Sequence, residues 1–198
     1  MKRRYKLLLI IIVSAILVII SYFVFYDNKK IYLAIGDSLS NNDYSYINYI
    51  KDYYNYDYKC LSTNYLTIEY LIDSINNNDN KIGYFIKNAN IITISLGTIE
   101  LYNYEIISDE ILIEYLNNLY ILLSKIRSLN KNPIYLINLY NNDYFNINDK
   151  IKNYIQLFNL KYISYNDLKD YSFILKNKTY LTYEGHKKVY NIVKRGIA

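Results

Sequence analysis

Ser38 is the side chain best placed in this sequence for covalent chemistry. It sits in Gly36-Asp37-Ser38-Leu39, directly after the apolar run 31–35, Ile-Tyr-Leu-Ala-Ile. A short apolar run closed by a glycine reads as a strand buried on both faces. The turn after it would lift the Ser38 hydroxyl off the carboxyl end of that strand, the edge where open α/β sheets bind ligands. A serine hydroxyl attacks a carbonyl only when a base takes its proton, and the chain contains one histidine, His186. The ordinary reading of His186 is a first-turn residue of the last helix, partly buried against a sheet; the alternative is a base for Ser38. Asp37 suits a side-chain-to-backbone bond that fixes the turn. A second glycine turn, Gly97-Thr98-Ile99-Glu100, follows the apolar run 91–96, with Glu100 expected to cap or to pair nearby. The lone Cys60 has no partner for an internal disulfide, and one histidine makes no ligand cluster, so neither a metal nor a cofactor is expected. Cys60 itself is expected to be a small buried side chain on a strand.

The elements that must hold these turns alternate in type. Strands are expected at 31–35, 58–62, 91–96, 134–139 and 161–164, with Pro133 opening the fourth at a position that tolerates proline. Between them, helical periodicity covers 44–54, 67–75, 109–129, 147–158 and 184–194, while 76–80, Asn-Asn-Asn-Asp-Asn, is a loop. Ile47 and Ile50 mark the inward face of the first of these helices, and Ile68, Leu71, Ile72 and Ile75 that of the second. Strand–helix alternation predicts a parallel sheet with right-handed crossovers and helices on both faces, a three-layer α/β/α sandwich. Five strands suggest the flavodoxin-like order 2-1-3-4-5. Its switch point lies between strands 1 and 3, so the turns at Gly36 and Gly97 would face each other across one crevice.

Gly36-Asp37-Ser38-Leu39, the second glycine turn and the block 180–186 together resemble the SGNH/GDSL hydrolases, serine esterases and acyl hydrolases, over the whole of 31–198. The resemblance implies that Ser38 stands at the nucleophile position. The family's base is the histidine of an Asp-x-x-His block, with a Gly-His or Gly-Tyr pair six residues on. Gly185-His186 matches the later pair, which puts Tyr180 at the base position and Asn177 at that of its acid. The family's oxyanion hole adds a glycine N–H after strand 2 and the asparagine of Gly-x-Asn-Asp/Glu after strand 3. Here Tyr65 and Ile99 stand at those positions, while Gly97 and Glu100 keep the frame. The implied activity is hydrolysis of acyl esters on lipids or cell-surface glycans. The replaced positions predict that it is weak or lost, because one missing oxyanion donor alone costs ~10²–10³ in rate. Two readings stay open: a serine esterase using Ser38 with His186, and a non-catalytic binding or scaffold domain that keeps the hydrolase fold.

Ahead of this domain, 7–25 is a stretch of 19 uncharged residues preceded by Lys2, Arg3, Arg4 and Lys6. A helix of that length spans ~28 Å, close to the ~30 Å hydrocarbon core of a bilayer. The segment is too long for a signal-peptide core and lacks a small-residue cleavage site. The expected division is therefore a basic tail at 1–6, a single-pass anchor at 7–25, a linker at 26–30 and one domain at 31–198. The basic cluster predicts a cytoplasmic N-terminus and an extracytoplasmic domain. Of the overall charge of +5, residues 1–26 carry four bases and no acid, so the remainder is +1, which leaves no electrostatic case for nucleic-acid binding. The expected partners are the membrane and an acyl-ester or cell-envelope ligand. The 28 tyrosines reflect a composition bias across the whole chain and carry no functional weight.

Overall fold

The computed structural model describes residues 2–26, 30–36, 45–54, 56–62, 66–77, 80–97, 100–101, 108–138, 147–164 and 181–197. They fall into two compact units, Met1–Lys30 and Ile31–Ala198.

The first unit is the helix α1 (Lys2–Tyr26). Ile10, Ile11, Ile12 and Val13 are all exposed; four successive residues cover the full circumference of a helix, so α1 is apolar all round over this stretch. Among the described residues no helix is long and apolar enough to cross a membrane. In α1 the described side chains are 5–6 and 10–22, and the longer run by itself spans only ~20 Å.

The second unit begins with β1 (Ile31–Gly36), then α2 (Tyr46–Tyr54), β2 (Asp57–Ser62), α3 (Ile68–Asn76), α4 (Asn80–Asn88) and β3 (Ala89–Ser95). It continues through α5 (Asp109–Leu129), β4 (Ile134–Asn138), α6 (Ile147–Leu157), β5 (Lys161–Ser164) and α7 (Tyr183–Ile197). The five strands are parallel in the order β2-β1-β3-β4-β5, as their alternation with helices requires. Alternation along β1 sorts the two cores. Leu33 and Ile35 join Ile92, Ile94 and Leu136 beneath α3, α4, α5 and α6 through Leu71, Ile86, Leu119 and Ile151. Tyr32 and Ala34 join Ile91, Tyr135 and Ile137 beneath α2 and α7 through Ile47, Ile50, Val189 and Val193. The Tyr32 hydroxyl, buried in this second layer, shares a 2.8 Å hydrogen bond with Thr93, which satisfies both polar groups.

Two expectations are corrected. Residues 80–88, read as the end of a loop followed by an unassigned stretch, form the helix α4. Its asparagines and Gly83 are poor helix formers, and it is held because Ile82 and Ile86 are buried in the core. It runs straight into β3, which starts at Ala89, two residues earlier than expected. Cys60 lies on a strand but is exposed. β2 is an edge strand, and among the described residues no further strand pairs along its outer side.

At the amino ends of the strands, Arg127 gathers carbonyls from two connections. Nε donates to Phe158 O at 2.7 Å, and the terminal nitrogens donate to Asn130 O, Asn132 O and Asn159 O. Buried Asn130 donates to Ile86 O and Ala89 O, and its Oδ1 accepts from the Asn132 N–H. These bonds pin the α5–β4 and α6–β5 connections at the edge opposite the candidate site.

Candidate functional site

At the carboxyl edge of the sheet the ends of β1 and β3 lie side by side. Gly36, the last residue of β1, is in register with Ser62 of β2 and with Ser95 of β3. The segments leaving β1 and β3 therefore start side by side, with Gly97 two residues beyond Ser95. Parallel strands joined by helical crossovers also bring the amino ends of the helices to this edge, and with them the positive ends of their dipoles.

Gly97 has φ of +113°, a backbone region open to glycine, and a Cβ there would stand 2.7–3.0 Å from the ring and hydroxyl of Tyr115 on α5. A side chain at 97 is thus excluded twice, by the backbone and by the neighbouring ring. The Gly97 carbonyl accepts the Leu101 N–H at 3.0 Å. In the turn this closes, Glu100 Oε1 accepts the N–H of Ile68 at 2.7 Å. The carboxylate therefore caps the first turn of α3, where Thr67 also accepts the Tyr70 N–H. That bond ties the segment after β3 to the helix after β2, and it is the capping role expected of Glu100.

His186 lies in the first turn of α7, whose start Thr182 closes by accepting the Gly185 N–H on its hydroxyl and the His186 N–H on its carbonyl. The imidazole is 1% exposed. Its Nδ1 accepts the N–H of Tyr46, the first residue of α2, at 3.3 Å. The Tyr46 ring stacks near it, with centroids 6.1 Å apart and planes inclined by 22°. Ser45 complements this cap by accepting the Ile47 N–H on its hydroxyl. Burial pushes the His186 pKa down to about 4 from an ordinary 6.5, because the interior penalises the cation. An imidazole that accepts at Nδ1 carries its proton on Nε2 and has no second acceptor nitrogen. In this state it is a donor at Nε2.

Of the residues singled out in the sequence, Gly36, Gly97, Glu100 and His186 are described, and all four lie at this one edge. Asp37, Ser38, Tyr65, Ile99, Asn177 and Tyr180 lie outside the described residues. Tyr46, Ser45 and Tyr115 are the partners that sequence reading missed. Tyr46 and His186 are 140 positions apart, and no local pattern connects them. Among the described residues no group of three or more His, Cys, Asp or Glu side chains could hold a metal ion.

No protein-family model matches the sequence, and no curated protein matches it significantly. Solved structures do resemble it. The lipase Lip_vut3 from a goat rumen metagenome superposes with a TM-score of 0.58 at 19% identity, over 84% of this chain and 97% of that one. A member of the lipolytic G-D-S-L family from Veillonella parvula gives 0.62 at 12% identity, over 84% and 97%. A proposed SGNH hydrolase from Slackia heliotrinireducens gives 0.63 at 6% identity, over 86% and 100%. The second unit of this chain has an SGNH/GDSL-hydrolase-like fold.

Proposed function

We propose that this chain is a membrane-anchored, extracytoplasmic domain of SGNH/GDSL-hydrolase type in which serine esterase activity is weak or lost. The observation that carries the reading is the state of His186. The one imidazole in the chain is buried and accepts the Tyr46 N–H on Nδ1 at the start of α2, which supports a structural role for it over that of a base. At the position that the resemblance gives to the base stands Tyr180; a tyrosine of ordinary pKa near 10 is protonated at neutral pH and removes protons poorly. Ile99, at the asparagine position, offers no donor to an oxyanion. What remains is a fold with a kept glycine frame, suited to holding an acyl ester or an envelope glycan without turning it over.

The anchor reading rests on the 25-residue helix Lys2–Tyr26, the uncharged run 7–25 within it and the basic cluster before it. Full-length protein is expected to stay with membranes after a carbonate wash and to keep its N-terminus. Release of a shorter soluble form would make 7–25 a cleaved signal peptide.

Activity is tested with short-chain aryl esters. Wild-type turnover should be near background and unchanged by Ser38→Ala. Ile99→Asn, Asn177→Asp and Tyr180→His combined should raise it more than any single change, since base and oxyanion hole act on one transition state. Robust wild-type hydrolysis abolished by Ser38→Ala and by His186→Gln would overturn this reading and make His186 the working base.

A further inference from the structure

We propose that the seam between α2 and α7 binds an anionic saccharide chain, with sugar rings on its tyrosines and carboxylates or phosphates on its lysines. The surface is distinct from the turns at Gly36 and Gly97, and the inference holds whether or not Ser38 is active. It begins in the sequence of α7. Tyr183, Lys187, Tyr190 and Lys194 follow one another at steps of four, three and four residues, so they form one stripe along the helix. Tyr49 and Tyr53, four apart on α2, meet that stripe.

The rings interlock into a ladder. The Tyr49 centroid lies 6.3 Å from that of Tyr183 and 5.8 Å from that of Tyr190, and Tyr53 lies 6.1 Å from Tyr190. Lys187 Nζ stands 4.3 Å from the Tyr183 centroid. Lys194 Nζ stands 3.8 Å from the Tyr53 centroid and 5.7 Å from that of Tyr190. Each ammonium is thus held against tyrosine rings, and the two lysines are set ~10 Å apart along the helix. Lys187 has one exposed carboxylate neighbour, Glu184 at 3.8 Å; Lys194 forms no ion pair among the described residues. Tyr53 and Tyr183 remain 54% and 45% exposed.

The other face of the sheet shows what is particular here. Its helices α3, α4, α5 and α6 together carry six basic and six acidic side chains. α2 and α7 carry Lys51, Lys187, Lys188, Lys194 and Arg195 against Asp52 and Glu184. Described ring contacts on that other face join Tyr84 to Phe85, and Tyr120 to Tyr154 and Phe158; one lysine, Lys59, lies over Phe85. An abundance of tyrosine therefore does not by itself produce a ladder alternating with cations. A pyranose turns slightly positive C–H bonds from its face, and these meet the negative face of an aromatic ring. Ammonium groups between the rings pair with the acid of a uronic or phosphate-bearing sugar. Single-stranded nucleic acid also combines stacking with cations. It carries a charge at every nucleotide, whereas the seam holds two cations ~10 Å apart and residues 31–198 have equal numbers of bases and acids. Tyr183 opens α7 three residues before His186, so a chain lying along the seam arrives at the carboxyl edge, where an acyl group on it meets the candidate site.

The test titrates the full chain, in a non-ionic detergent, with polygalacturonate and with phosphomannan by calorimetry. Dextran, polyglutamate and oligodeoxythymidylate are the comparisons. The basic tail 1–6 attracts every polyanion alike, so the expected result is a preference: an anionic saccharide bound about tenfold more tightly than polyglutamate or dextran. Binding of polygalacturonate alone would assign a carboxylate ligand, and of phosphomannan alone a phosphate one. Lys187→Gln/Lys194→Gln should weaken the saccharide about tenfold, a few-fold for each exposed charge contact. Tyr53→Ala/Tyr183→Ala should weaken it to a similar extent through lost stacking. Tyr70→Ala/Tyr84→Ala, at exposed positions on α3 and α4, should leave binding unchanged. Circular dichroism reports whether each variant is folded; if the alanine pair in the seam is not, Tyr53→Leu/Tyr183→Leu keeps apolar volume and removes the rings. Four results would overturn the proposal: binding of neither anionic saccharide, equal binding of polyglutamate or dextran, tightest binding of oligodeoxythymidylate, or folded seam variants that bind as the wild type does.

Discussion

His186 holds two helices together through one nitrogen lone pair. Without it the Tyr46 N–H, at the buried start of α2, loses its acceptor. His186→Ala is therefore expected to cost ~2–4 kcal/mol from the cavity and the orphaned donor, measured by urea denaturation. The same site sets a pH dependence. The unfolded chain takes up a proton near the ordinary pKa of 6.5, the folded chain only near pH 4. Above 6.5 neither state is charged and the contribution is complete. Between 6.5 and about 4 the unfolded state gains a proton that the folded state does not, so stability falls with pH. The loss is ~3 kcal/mol for the full shift. His186→Gln should flatten the stability curve in that window; an unchanged slope would show that the imidazole titrates freely in the folded chain.

At the scale of the element, the turn after β3 is defined by what it excludes. Gly97→Ala would combine a backbone region unfavourable to alanine with a Cβ inside contact distance of Tyr115, at an expected cost of ~2–4 kcal/mol. Tyr115→Leu in the same chain should recover the part due to crowding and leave the backbone part, which a double-mutant cycle separates. Glu100 acts across elements, so Glu100→Ala should destabilise by ~1–2 kcal/mol through the lost cap on α3. Glu100→Gln, which keeps an acceptor oxygen, should cost less. Equal losses for the two variants would place the stabilisation in the charge of the carboxylate instead of its acceptor geometry.

Across the whole molecule, the two units differ in what they ask of solvent. Unit Ile31–Ala198 contains both layers of buried core, so a chain begun at Asp27 is expected to be soluble and to unfold in one cooperative transition. Loss of helix content or aggregation in that shortened chain would show that the domain depends on 1–26.

Local periodicity governs the part of the fold that can be read from the chain alone. The run 31–35 and the long helix Asp109–Leu129 each bury the apolar pattern that their sequence shows. The parallel order β2-β1-β3-β4-β5 then follows from alternation and crossover handedness. Gly36 was legible as the close of a strand and Gly97 as a turn for the same reason. The rest depends on contacts between segments distant in the chain. α4 lacks intrinsic propensity and exists because Ile82 and Ile86 reach the core. Cys60 is exposed because its strand lies at the sheet edge. Whether the one histidine acts as a base or as a buried cap depends on a residue 140 positions away, Tyr46, whose N–H meets Nδ1 only once α2 and α7 pack on the same face of the sheet.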